Sequence, residues 1–106
     1  MDNTEMMMLE QAVIDKVKEV YDPEIPVNIY DLGMVYEISI AENKTVSIKM
    51  TLTSPNCPMA EEIPGMVRDA VLAVEGITEV IIDLTFDPPW DPSMMSPVAK
   101  LELGML

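Results

Sequence analysis

Histidine is absent from the 106-residue chain. Every mechanism that needs an imidazole as base, acid or metal ligand is therefore excluded, Ser/His/Asp and Cys/His catalysis among them. Cysteine occurs once, at Cys57, so no internal disulfide can form and a reducing compartment is expected. The four glycines are scattered at Gly33, Gly65, Gly76 and Gly104, which rules out a glycine-rich phosphate cradle. Cations are scarce: 6 basic residues stand against 19 acidic ones, for a net charge of −13. Such a field repels phosphate backbones and anionic lipid, so neither nucleic acid nor a membrane is an expected partner. No apolar run reaches the roughly 18 residues that a membrane span needs. The N-terminus has no basic-then-apolar leader pattern, and a cytoplasmic protein is expected.

What is present suffices for one packed core. Apolar residues make up 49% of the chain, and the length suits a single domain over residues 1–106. Met6, Leu9, Val13, Val17 and Val20 recur at spacings of three and four, predicting an amphipathic helix from Met6 to Tyr21. Pro23 and Pro26 end it. The run Met6-Met7-Met8 is read as core filling and a frayed helix end rather than a copper site, since no further soft ligands cluster with it. Met34, Tyr36, Ile38 and Ile40 alternate with Val35, Glu37 and Ser39, and Val46, Ile48, Met50 and Leu52 with Ser47, Lys49 and Thr51; the short polar link Glu42-Asn43-Lys44 makes them a hairpin. Met59, Ile63, Met66, Val67, Ala70, Val71 and Val74 then keep helical spacing up to Gly76, with Pro64 predicting a kink or a restart near Ile63. Val80, Ile82, Leu84 and Phe86 predict a third strand over Thr78 to Phe86, and Ser96-Pro97 opens a short helix that runs through Leu103 to Gly104. The expected fold is α+β: a two-layer sandwich in the order α-β-β-α-β with a short C-terminal helix. Its three-stranded sheet is covered on one face by two helices.

Three places carry chemistry. The stretch Thr51 to Met59 leaves a strand, turns, and sets Cys57 just ahead of Pro58, at a predicted helix start. Backbone N–H groups there favour the thiolate, although a lone cysteine also serves as a small apolar filler. Asp22 and Glu24 flank Pro23 in a rigid loop, where they form a carboxylate pair for a hard cation or a partner's donors, or else two solvated loop acids. Trp90, Met94 and Met95 lie in a proline-rich tail, which either presents a recognition patch or folds back to close the core.

The blocks Asp22-Pro23-Glu24-Ile25-Pro26, Tyr30-Asp31-Leu32-Gly33, Thr51-Leu52-Thr53 with Cys57-Pro58-Met59, and Pro88-Pro89-Trp90 with Met94-Met95-Ser96 together resemble the SufT/PaaD-like family of iron-sulfur cluster assembly factors. The resemblance runs from about residue 10 to the end of the chain. It implies a small α/β domain that acts in the maturation of iron-sulfur proteins. Asp22, Glu24 and Cys57 match the positions regarded as functional in that family, with Thr53 and Pro58 in the supporting loop. One thiol is a poor cage for a cluster, which is normally held by a full set of cysteine ligands. No stably bound cofactor is expected. Three readings follow: Cys57 as a transient ligand completed by client, carrier or glutathione thiolates; a homodimer pairing two Cys57 thiols; or a metal-free adaptor that brings client apoproteins to a cluster carrier. A cysteine-dependent enzyme is the competing class, weakened by the lack of a base beside Cys57.

Overall fold

A computed structural model describes residues 3–21, 26–52 and 62–104. Helix α1 spans Asn3–Val17, strand β1 Val35–Ile40, β2 Thr45–Met50, helix α2 Ile63–Leu72, β3 Glu79–Leu84 and helix α3 Pro97–Glu102. A 3₁₀ turn, Pro92–Met94, precedes α3. The sheet order is β1-β2-β3, with β1 antiparallel and β3 parallel to the central β2. The third strand thus pairs with the second, a choice that alternation alone leaves open. Helix α2 packs on β3, while α1 packs on β1 and on α2, so the two helices lie side by side against the sheet.

The helical and strand periods supply the core. Val13 and Val17 of α1, Val46, Ile48 and Met50 of β2, and Ile63, Val67 and Val71 of α2 are fully buried and belong to one cluster. Each such side chain contributes about 1.5–3 kcal/mol relative to leaving it in water. The hairpin link closes as expected. Lys44 takes a positive φ of 67° and its N–H bonds the carbonyl of Ala41 at 2.9 Å.

Several boundaries differ from the predicted ones. Helix α1 ends at Val17 rather than Tyr21, because the next bonds are i to i+3: Glu19 N–H to Lys16 at 3.0 Å and Val20 N–H to Val17 at 3.1 Å. That tightening turns Val20 into the core, where its carbonyl accepts from Ile29 N–H at 2.9 Å. Pro64 lies in the first turn of α2, where its missing N–H would have had no helical partner. The expected start at Pro58 falls outside the described residues. Gly76 comes after the helix, in the turn leading to β3, with φ 95°. Met66 is exposed because the buried stripe of α2 follows Ile63, Val67 and Val71. Leu84 and Phe86 are exposed as well, whereas Val80 near the start of β3 is buried.

Candidate functional site

The described parts of the sequence blocks converge at one end of the sheet. Central strand β2 runs into Thr51 and Leu52, both buried. The N–H of Thr51 bonds the carbonyl of Met34 at 2.8 Å, while the carbonyl of Met50 accepts from Thr85 N–H at 2.8 Å. The chain is therefore gripped from both neighbours at the point where it enters the segment that carries Thr53, Cys57 and Pro58. Those three residues lie outside the described residues, as do Asp22 and Glu24. Tyr21, the last described residue before Asp22, bridges Asn28 in an antiparallel pair.

The turn at 28–34 joins these contacts. Asn28 Nδ2 donates to Asp31 Oδ2 at 2.8 Å, and Asn28 Oδ1 accepts from the Asp31 N–H at 2.9 Å. Met34 N–H returns to Ile29 at 3.1 Å. Gly33, at φ 82°, makes this reversal possible, and the backbone of Met94 packs directly onto its Cα face. Any side chain there would meet the Met94 carbonyl.

The tail closes onto the same turn. Trp90 Nε1 donates to the carbonyl of Leu32 at 2.8 Å, and the ring packs half-buried against the core. Tyr36 Oη donates to the carbonyl of Pro88 at 2.8 Å and approaches Met94 Sδ at 3.7 Å. Ser96 donates twice to Asp31, from N–H to the carbonyl at 2.8 Å and from Oγ to Oδ1 at 3.1 Å. Its Oγ also accepts from Ala99 N–H at 3.2 Å, capping α3. Met95 is buried and belongs to the core, which removes it from any exposed recognition patch; Trp90 and Met94 are half-buried. The patch reading of this tail is thus corrected at Met95: a small domain in which aromatics make up only 5% of residues uses the tail to close its core.

Asp31 and Tyr36 are organising residues that sequence reading did not single out. Asp31 enters the sequence reading only as part of the Tyr30-Asp31-Leu32-Gly33 block; its partner Ser96 lies 65 positions away, and no local pattern reports such a pairing. Among the described ionisable groups, Asp91 has a perturbed carboxyl. The backbone N–H of Ser93 at 2.8 Å, followed by the Ser93 side chain, holds it below its ordinary value of 3.8. Among the described residues, no group of three or more Cys, Asp and Glu side chains gathers as a metal cage. No described helix is long and apolar enough to cross a membrane.

Comparison with known proteins places this arrangement. A Porphyromonas gingivalis Fe-S protein maturation auxiliary factor is 48% identical over 104 residues, covering 98% of this chain and 99% of that protein. The Staphylococcus aureus Fe-S protein maturation auxiliary factor SufT is 35% identical over 86 residues, covering 81% and 98%. A crystal structure of a Bacillus anthracis DUF59 domain superposes with a TM-score of 0.86 at 35% identity, covering 94% of this chain and 95% of that one. Residues 10–98 match the family described as iron-sulfur cluster assembly protein, and the chain belongs to that family.

Proposed function

We propose that this chain is a cytoplasmic, single-domain, non-enzymatic maturation factor. It acts on iron-sulfur client apoproteins through protein-protein contacts and uses the Cys57 thiol transiently. The cluster is cargo, and the chain is a brief ligand to it. The observation that carries the reading is the grip on the end of β2. Thr51 and Leu52 are buried, Thr51 N–H bonds the Met34 carbonyl and the Met50 carbonyl just before it accepts from Thr85 N–H, so the chain is held where it leaves β2 toward the segment bearing Cys57.

The soft thiolate suits iron-sulfur chemistry, and the missing ligands must come from elsewhere: a client, a carrier, glutathione or a second copy of the chain. Asp22, Glu24, Thr53 and Pro58 would shape the surroundings of the thiol. Trp90 and Met94 would contribute to the partner contact from the proline-rich tail.

The test replaces Cys57 by serine in cells that depend on this chain and measures the activity of iron-sulfur client enzymes. Loss of client activity, with the variant folded and expressed at wild-type levels, is the expected result. Full client activity would remove the thiol and leave an adaptor. Anaerobic reconstitution with iron and sulfide, in the presence of a client apoprotein, then reads whether visible cluster absorption depends on Cys57.

A further inference from the structure

The two edges of the sheet are finished differently. At one edge, β1 is interrupted by a bulge between Val35 and Glu37, and α1 packs against it. At the other, β3 pairs without interruption from Thr45↔Glu79 to Met50↔Leu84, and its sequence contains neither proline nor lysine. Among the described residues, no strand pairs with the outer side of β3. Exposed edges are normally blunted by charged side chains, lysine above all, by proline, by a bulge or by a covering element, because their free N–H and C=O groups template another strand; on β3 the only charges are the acidic Glu79 and Asp83. Here Ile81 is 47% exposed, Leu84 41% and the following Phe86 43%.

The charge pattern says what kind of strand fits. Glu75, Glu79, Asp83, Asp87 and Asp91 recur every fourth position, all exposed, and no lysine or arginine occurs between Arg68 and Lys100. Lys49 stands beside Asp83 but on β2, inside the edge, with Glu37 on its other side. A second copy of the chain is disfavoured as occupant. Edge-to-edge pairing would bring together the acidic rows of two chains that each carry −13, and like charges face to face oppose association. We infer that the outer edge of β3 docks an extended segment of a partner protein, bearing lysine or arginine beside apolar side chains, by strand addition. The acidic row selects the basic segment, while Ile81, Leu84 and Phe86 give it apolar contacts. The inference rests on β3 alone and makes no use of Cys57.

The N–H of Thr85 points to β2, where it bonds Met50. Alternation along a strand then turns the N–H groups of Ile82 and Leu84 outward. The experiment follows amide hydrogen exchange by NMR in the full chain, with and without a synthetic peptide of alternating lysine and valine. A peptide of equal charge with a central proline is the control. Exchange at Ile82 and Leu84 should slow by about tenfold or more with the first peptide and stay unchanged with the second. Glu79→Lys combined with Asp83→Lys changes only exposed side chains and should weaken binding by about tenfold or more. Cys57→Ser should bind as wild type. Equal binding of the proline peptide, or protection elsewhere without change at Ile82 and Leu84, would overturn the inference. So would protection of those two amides by raising the concentration of the chain alone, which would assign the edge to a second copy.

Discussion

Replacing Gly33 by alanine tests whether the 28–34 turn and the tail form one unit. Gly33 has φ 82°, and a Cβ there would press on the Met94 carbonyl oxygen while lying 2.8 Å from the Met94 carbonyl carbon and 2.9 Å from its Cβ. Two costs follow. Holding alanine in the left-handed region takes about 1 kcal/mol. Forcing the Met94 backbone away takes about 1–3 kcal/mol more, by analogy with overpacked cores. That displacement strains the Trp90 bond to Leu32 and the Ser96 bond to Asp31, each 2.8 Å long. The expected loss is about 2–4 kcal/mol, or a fall in Tm of about 8–16 °C for a chain of this size. Gly104→Ala is the internal control: its φ is 71°, yet nothing lies within 4 Å of the added Cβ, so only about 1 kcal/mol should be lost. Urea unfolding followed by the fluorescence of the chain's one tryptophan reads both stability and local detachment. Gly33→Ala should also shift the native Trp90 emission to the red, as the indole leaves Leu32. Equal destabilisation by the two substitutions, with native emission unchanged, would refute the close approach of turn and tail.

The Asp31–Ser96 pair should behave as a coupled unit. Asp31→Ala is expected to cost about 2 kcal/mol through loss of its Asn28 and Ser96 bonds, and a double-mutant cycle with Ser96→Ala should give a coupling of about 0.5–1.5 kcal/mol by urea unfolding; strict additivity would count against the pairing. The Asp91 carboxyl is held below 3.8 by Ser93, so its stabilising contribution is full above that value and is lost as pH falls through the lower folded value. The gap in urea midpoint between wild type and Asp91→Asn should therefore be present at neutral pH and close in acid below 3.8. An NMR titration of Asp91 with its midpoint at or above 3.8 would contradict this.

Particular elements show where pattern reading succeeds. Alternation over Val46, Ile48 and Met50 marks three residues that are fully buried on β2. Ser96-Pro97 and Gly104 bracket α3 as their capping chemistry requires, with Ser96 Oγ accepting from Ala99 N–H and Gly104 at φ 71°. The same alternation over-reads the end of β3. Leu84 and Phe86 fit the period but remain exposed, because periodicity reports which face a side chain shares and not whether that face is covered. Of the candidate site, the sequence makes the singular thiol of Cys57 and the Asp22 and Glu24 loop visible as residue types. The tertiary structure adds the contacts of Tyr21 and Thr51, beside those segments.

The division has a physical basis. Composition and local period are properties of neighbouring residues, so the chain alone determined its helices, its hairpin, its caps, its acidic field and the absence of imidazole chemistry. Contacts between distant segments were decided only on folding. These are the parallel pairing of β3 with β2, the bonds from Trp90 to Leu32 and from Ser96 to Asp31, and the seat of Met94 on Gly33. Each joins groups far apart in sequence, where no local propensity acts and only simultaneous burial and hydrogen-bond satisfaction select the partner.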